Sequence, residues 1–205
     1  HGVPSGLSDL DFYTLGWHPG ELVLLAGRPG AGKTALAGNF AAHAAGVGVR
    51  SLFFSLEMVA DAVGERLLFG AARVDANLGR GGRLTAQDWS TVTRSQEPLA
   101  ASPLYLDDGS SLTIAEIRTK ARRFVKDRTI TRRHDVDGCD GTDACGCVCH
   151  KALLLVDYLQ LVRPPTHPRG WSNREQEVAQ VSAGLKALAK DLLVPVVAMV
   201  QLSRR

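Results

Sequence analysis

GRPGAGKT, residues Gly27–Thr34, lies between an apolar run, LVLLA (Leu22–Ala26), and an alanine-rich stretch, Thr34–Ala45. It fits the spacing G-x-x-x-x-G-K-[ST], with Gly27, Gly32, Lys33 and Thr34 at the fixed positions and Arg28, Pro29, Gly30 and Ala31 between them. Glycines let backbone N–H groups turn inward without side-chain clash, and a helix that starts at the loop's end points its positive pole at the same place. A chance glycine turn is the competing reading. A strand leading in and a helix former leading out argue against it. On the favoured reading the backbone from Gly27 to Ala35 cradles the phosphates of ATP, Lys33 reaches the β- and γ-phosphates, and Thr34 holds Mg²⁺.

Four more apolar runs share the character of LVLLA: SLFFSL (Ser51–Leu56), LYLD (Leu104–Asp107), LLLVD (Leu153–Asp157) and VPVVAMVQ (Val194–Gln201). They are continuous rather than alternating, which is the pattern of strands covered on both faces of a parallel sheet. Helical patterns lie between them. In Thr113–Arg128 the stripe is Ile114, Ile117, Ala121, Phe124 and Val125, opened by a Thr113/Glu116 capping box. In Arg174–Leu192 it is Val178, Val181, Leu185, Leu188 and Leu192, and Ala60–Arg73 is a further helix. Strands alternating with helices predict an α/β fold with a mostly parallel, doubly wound sheet. Gly79–Arg83 and Arg163–Asn173 read as loops. No linker divides the chain, so residues 1–205 are expected to form a single domain, with a Cys/His-rich segment over 132–150.

The phosphate loop calls for acidic partners. Asp157 ends a buried strand, and ligands of open α/β sheets bind at the strands' carboxyl ends. There it would hold the hydration shell of Mg²⁺ together with Thr34, although a plain strand-to-loop Asp is the ordinary alternative. Glu57 follows its strand in the same way and is placed to orient and deprotonate a water. Its alternative is an exposed turn glutamate. Gln201 ends the last strand, where its amide can sense a γ-phosphate.

Composition sets bounds. With 45% hydrophobic residues the chain can bury a sizeable core, and its net charge of +3 is compatible with nucleic acid without arguing for it. No apolar run is long enough to span a bilayer, so no membrane partner is expected. All four cysteines lie between Cys139 and Cys149, so they staple no distant parts of the chain, and a reducing, cytoplasmic setting is the expectation.

At this point the motifs carry a family. GVPSGLSDLD (Gly2–Asp11), SLEM (Ser55–Met58), DYLQL (Asp157–Leu161), NREQEVAQVSAGLKALAKDL (Asn173–Leu192) and VPVVAMVQLSR (Val194–Arg204) together resemble the C-terminal motor domain of the DnaB-type replicative DNA helicases. The segment LYLDDGSSLTIAEIRTKARR (Leu104–Arg123) adds to the resemblance. It implies a RecA-like P-loop fold, ATP held between subunits of a homo-hexameric ring, translocation on single-stranded DNA, and a primase and a helicase loader as partners. It also implies that Lys33 and Thr34 are the phosphate and Mg²⁺ ligands, Glu57 the catalytic base, Asp157 the second acidic residue and Gln201 the coupling glutamine. A RecA/RadA-type recombination ATPase, or a non-hydrolysing nucleotide-binding tether or loader, are the other readings. SLEM followed by DYLQL argues against the first, and intact Glu57 and Asp157 against the second. The family pattern continues past QLSRR to a basic pair, an arginine finger and a further DNA loop. The chain is therefore expected to be a piece of a longer helicase that binds ATP–Mg²⁺, hydrolyses it weakly and forms no stable ring alone.

Cys139, Cys145, Cys147, Cys149 and His150 crowd one short stretch that is foreign to this pattern. Thiolates and imidazole suit zinc, but the spacing is not that of paired C-x₂-C knuckles, so zinc and a metal-free hairpin both stand. Arg118, Lys120, Arg122, Arg123, Lys126 and Arg128 crowd one helix and its end, either as a DNA-facing stripe or as a solvated face. Trp171 lies in a polar loop, where it could stack on a base or simply pack.

Overall fold

Five parallel strands run β1 (Leu22–Gly27), β2 (Arg50–Ser55), β3 (Leu104–Asp107), β4 (Ala152–Asp157) and β5 (Val196–Gln201), and they lie in the order β1-β5-β4-β2-β3. The computed structural model describes residues 2–127, 152–164 and 173–202. Seven helices accompany the strands among these residues: α1 (Ser8–Thr14), α2 (Lys33–Gly46), α3 (Ala60–Ala72), α4 (Ala76–Arg80), α5 (Ala86–Ala101), α6 (Ile114–Lys126) and α7 (Arg174–Leu192).

The central strands are buried on both faces, and the pleat sorts their side chains into two cores. Phe53, Leu153, Leu155, Val197 and Met199 face α2, which meets them with Ala37, Phe40, Ala41 and Ala44 at helical spacing. Phe54, Leu154, Val156, Val196 and Ala198 face the other way, against Ile117, Ala121 and Phe124 of α6 and Val181, Leu185 and Leu188 of α7. The N-terminal segment closes the first core. Val3 and Trp17 exchange backbone hydrogen bonds of 2.8 Å each, and the Trp17 ring meets Phe40 edge-on at 4.8 Å.

The strand order explains why each helix takes its face. The connections β1 to β2 and β2 to β3 progress toward one edge of the sheet, and α2 lies on the first face with α3 packed on α2 and α5 on α3. From β3 to β4 and β4 to β5 the progress reverses, and α6 and α7 lie on the second face. A uniform crossover hand requires this exchange of faces. Between β4 and β2 the outgoing connections therefore diverge, opening a crevice at the strands' carboxyl ends.

The five expected strands and four expected helices are all present. The last strand starts at Val196, two residues later than expected, and Thr113 is the cap of α6 rather than its first residue, with its capping box to Glu116 formed. The expected Gly79–Arg83 loop is corrected in part: Gly79 and Arg80 end α4, and Arg80 pairs with Glu65 at 3.0 Å. Helices α1 and α5 are additions to the sequence-based expectation. The crowded basic helix divides its charges. Arg118 pairs with Asp191 at 3.5 Å and Lys120 with Asp107 at 2.6 Å, while Arg122, Arg123 and Lys126 are exposed. Arg128 lies outside the described residues.

At the amino edge of the sheet, buried Arg50 closes the last turn of α6. Its Nη1 donates to the carbonyls of Phe124 (3.2 Å) and Asp127 (2.8 Å), and its Nη2 to that of Val125 (3.1 Å). A helix's final carbonyls lack intrahelical donors, so a cation there satisfies them. Arg50→Ala is expected to lower unfolding free energy by about 1.5–3 kcal/mol, the range for hydrogen bonds to a charged group, and Arg50→Lys to recover only part of it. Denaturant titration of the two variants measures both.

Candidate functional site

The phosphate-loop sequence forms the glycine turn its spacing predicts. Gly30 and Gly32 have φ of 76° and 86°, left-handed backbone that a residue with Cβ adopts only under strain. A Cβ at either position would meet nothing within 4 Å, so conformation and not space demands glycine here. Gly32 caps α2 without a side-chain acceptor, and the first turn of α2 carries no acidic residue. The N–H groups of that turn thus remain directed at the loop's hollow, with the helix's positive pole behind them.

Lys33 folds back over the loop, its Nζ donating to the carbonyls of Gly27 and Arg28 at 3.0 Å each. Those bonds hold the ammonium at the mouth of the hollow. The end of β5 is tied to the same loop by Leu202 N donating to Gly27 O at 3.1 Å, which sets Gln201 beside Gly27 in the β1–β5 register.

Asp157 is 2% exposed at the end of β4. The Thr34 hydroxyl shares the cavity with its carboxylate and favours the ionised form. Its Oδ2 is buried with no hydrogen-bond partner among the described residues. Burial pushes the carboxyl above the ordinary aspartate range, opposed by the Thr34 hydroxyl and by the charges of Lys33 and Arg66. A buried anionic oxygen with no donor is costly unless something else supplies positive charge.

Glu57 reaches the same place from β2. Ser55 stands opposite Asp157 in the β2–β4 register, and Leu56 N donates to Asp157 O at 2.8 Å. That bond carries the strand pairing one residue past β2 and leaves Glu57 exposed at the crevice. The Ser55 hydroxyl donates to Met58 O at 2.6 Å and tightens the turn that follows.

Lys33, Thr34, Glu57, Asp157 and Gln201 line one cavity of about 360 Å³, together with Pro29, Gly30, Gly32 and Ala35 of the loop region. Gly27, Arg28 and Ala31 contribute to the loop by backbone but do not line the cavity's wall. Three lining residues escape sequence reading: Met58, Tyr158 and Arg66. Arg66 is legible there only as one of two cations, with Arg73, in the helical stretch Ala60–Arg73, with nothing to aim it at the loop. Its helix is held by Asp108, whose Oδ2 accepts from Ala60 N at 2.9 Å.

The donor set fits a hard divalent cation. An unpartnered buried carboxylate oxygen and a threonine hydroxyl, both hard oxygen donors, line the same cavity. The candidate zinc ligands Cys139, Cys145, Cys147, Cys149 and His150 lie outside the described residues, as does Trp171. Among the described residues no group of three or more His, Cys, Asp or Glu side chains could hold a metal, and no helix is long and apolar enough to cross a membrane.

A parallel sheet with a phosphate loop after its first strand and acidic residues on two neighbouring strand ends defines a RecA-like ATPase fold. One solved ATPase domain superimposes with a TM-score of 0.83 at 28% identity, covering all of this chain and 65% of that one. A DnaB-like replicative helicase whose structure concerns its interactions with primase gives the same TM-score and identity over 44% of its length. The family described as DnaB-like helicase C terminal domain matches residues 2–132 and 149–205, and the chain belongs to that family. Its relatives include the replicative DNA helicase DnaB of Leifsonia xyli subsp. xyli, 37% identical over 99% of this chain and 39% of the relative. The replicative DNA helicase DnaC of Bacillus subtilis is 35% identical over 99% of this chain and 40% of the relative. The DnaB of Rhodothermus marinus is 42% identical over 99% of this chain, which there amounts to 19% of the relative. The chain thus spans well under half the length of these curated relatives.

A carboxyl whose folded pKa is raised binds its proton more tightly folded than unfolded. Stability therefore falls as pH rises from the ordinary aspartate value through the raised one, and the cost is full once pH is above the raised value. Asp157→Asn removes it while keeping an acceptor for Thr34. The nucleotide-free variant is expected to melt a few degrees above the wild type at pH 7, with the gap closing toward pH 4. Scanning calorimetry across that range tests it.

Proposed function

We propose that this chain is the ATP-hydrolysing motor domain of a replicative DNA helicase. The observation that carries the reading is the meeting of Lys33, Thr34, Glu57, Asp157 and Gln201 around one cavity at the switch between β4 and β2. These residues come from four separate stretches of sequence and line the same cavity, which supports the roles proposed for them.

In this proposal the phosphates of ATP enter the hollow formed by residues 27–35. Lys33 exchanges its two loop carbonyls for β- and γ-phosphate oxygens. Thr34 and Asp157 hold Mg²⁺, which when bound neutralises phosphate charge. Glu57 orients a water in line with the γ-phosphorus and accepts its proton. The new P–O bond forms as the bond to the β–γ bridging oxygen breaks, and ADP leaves with that electron pair. The protein's share is positioning and preorganised charge. Gln201, at the end of β5, contacts the γ-phosphate and reports its presence to the rest of the domain.

Family membership supports the wider reading: six copies in a ring, single-stranded DNA through its centre, a primase and a loader as partners, and a cytoplasmic place of work. It also supports treating residues 1–205 as one RecA-like domain interrupted by the Cys/His-rich segment at 132–150, whose zinc content is a separate question for metal analysis.

Two substitutions separate binding from chemistry. Lys33→Ala is expected to weaken ATP binding by about 10–100-fold, the equivalent of losing a hydrogen bond to a charged group. Glu57→Gln is expected to leave binding intact and to cut turnover in the full-length protein by about 10²–10⁴-fold, the usual loss of a general base. Calorimetric titration and a phosphate-release assay measure them. ATP binding that Lys33→Ala leaves unchanged would overturn the proposal. Binding with no turnover in the full-length wild type would assign a non-hydrolysing module instead.

A further inference from the structure

Beyond β4 the chain leaves the sheet. A 3-10 turn, Leu159–Leu161, follows Tyr158, and the last residues of β5 lose the neighbour that β4 had been. The β4–β5 pairing ends at Val156↔Ala198, yet β5 runs three residues further, to Gln201. On that side the main chain of Gln201 would be left without a strand to bond. Instead the Gln160 side chain takes the place of the missing strand. Its Nε2 donates to Gln201 O at 2.8 Å, and its Oε1 accepts from Gln201 N at 3.2 Å. One primary amide thereby reproduces the two-way bonding that a strand residue would give.

The other end of Gln160 is also held. Arg174, in the first turn of α7, donates to the Gln160 carbonyl and to the Glu177 carboxylate. A continuous polar path thus runs from the Gln201 main chain, through the Gln160 amide and carbonyl, to the start of α7. Gln160 does not line the phosphate cavity. It lines the neighbouring groove of about 820 Å³, with Gln201 bordering both.

We propose that Gln160 is a positioning residue: it fixes the backbone from which the Gln201 side chain enters the phosphate cavity, and joins that backbone to the first turn of α7 through Arg174. The proposal rests on the nucleotide reading of the site. A γ-phosphate contact that shifts Gln201 shifts the paired amide, because two opposed hydrogen bonds leave it no freedom to stay behind. The shift reaches α7 through the Gln160 carbonyl. Removal of the amide therefore uncouples the two ends.

The test is amide hydrogen exchange at the start of α7, residues 174–181, measured with Mg²⁺ and either ADP or a non-hydrolysable ATP analogue. In the wild type, exchange there is expected to differ between the two nucleotides by about fivefold or more, the lower end of ordinary site-to-site coupling. Gln160→Met, which keeps length and shape without the amide, is expected to abolish the difference while analogue affinity stays within about twofold of wild type. Gln160→Glu, which keeps the acceptor for Gln201 N–H but loses the donor, is expected to fall between. Arg174→Ala cuts the path outside the amide pair and is expected to abolish the difference too, so the idea stays testable if Gln160→Met folds poorly. A full wild-type difference in Gln160→Met or Arg174→Ala overturns the assignment. A wild type that binds both nucleotides with no difference at α7 overturns it while leaving the nucleotide site standing, whereas a wild type that binds neither removes both.

Discussion

A buried carboxylate with one oxygen lacking a donor is the constraint around which this domain is arranged. Asp157 sits at the end of the most enclosed strand, β4, in the same cavity as Thr34. Its Oδ2 meets no donor among the described residues. Burial of that kind opposes folding, and a protein tolerates it where a ligand offsets the cost in its bound state. The remaining features serve the same point. The loop's left-handed glycines aim backbone N–H groups at it, α2 adds its positive pole, and Lys33 and Arg66 lend positive charge to a site that must also accept anionic phosphates.

Topology puts the constraint where it is useful. The parallel sheet sends every strand's carboxyl end to one edge, and the reversal of winding between β2 and β4 keeps the helices clear of the crevice there. Register then sets heights. Ser55 lies level with Asp157, and Gly27 with Gln201. The Leu56–Asp157 and Leu202–Gly27 backbone bonds lock the residues just past the strand ends. The sheet's own bonding thus extends to the residues that carry the site, and catalysis by positioning depends on such anchoring.

Most of this is legible in sequence because buried parallel strands are written as unbroken apolar runs. LLLVD and VPVVAMVQ leave little choice of element, and a polar residue at the end of each run marks the functional edge. Helix α5 escapes for the opposite reason. It buries only Val92 and carries Pro98, so it lacks an apolar stripe, although Thr85 and Asp88 form a capping box that announces its start. Helix α1 is short and has no fully buried residue, only Leu10 half-buried against the first core. Arg66 cannot be placed from sequence because its aim depends on how α3 packs over α2, which no local pattern records. Gln160 is visible only as part of DYLQL. Its role depends on β4 departing from the sheet three residues before β5 ends, a fact of register and not of composition.

If Thr34 and Asp157 together hold a divalent cation, the cation itself can be located. Crystals of the domain grown with ADP and Mn²⁺, examined by anomalous scattering at the manganese edge, are expected to show a single strong peak against the Thr34 hydroxyl, facing the free oxygen of Asp157, with the diphosphate seated on the loop from Gly27 to Ala35. A diphosphate in that loop with the manganese elsewhere, or with Asp157 turned away from Thr34, would contradict the account.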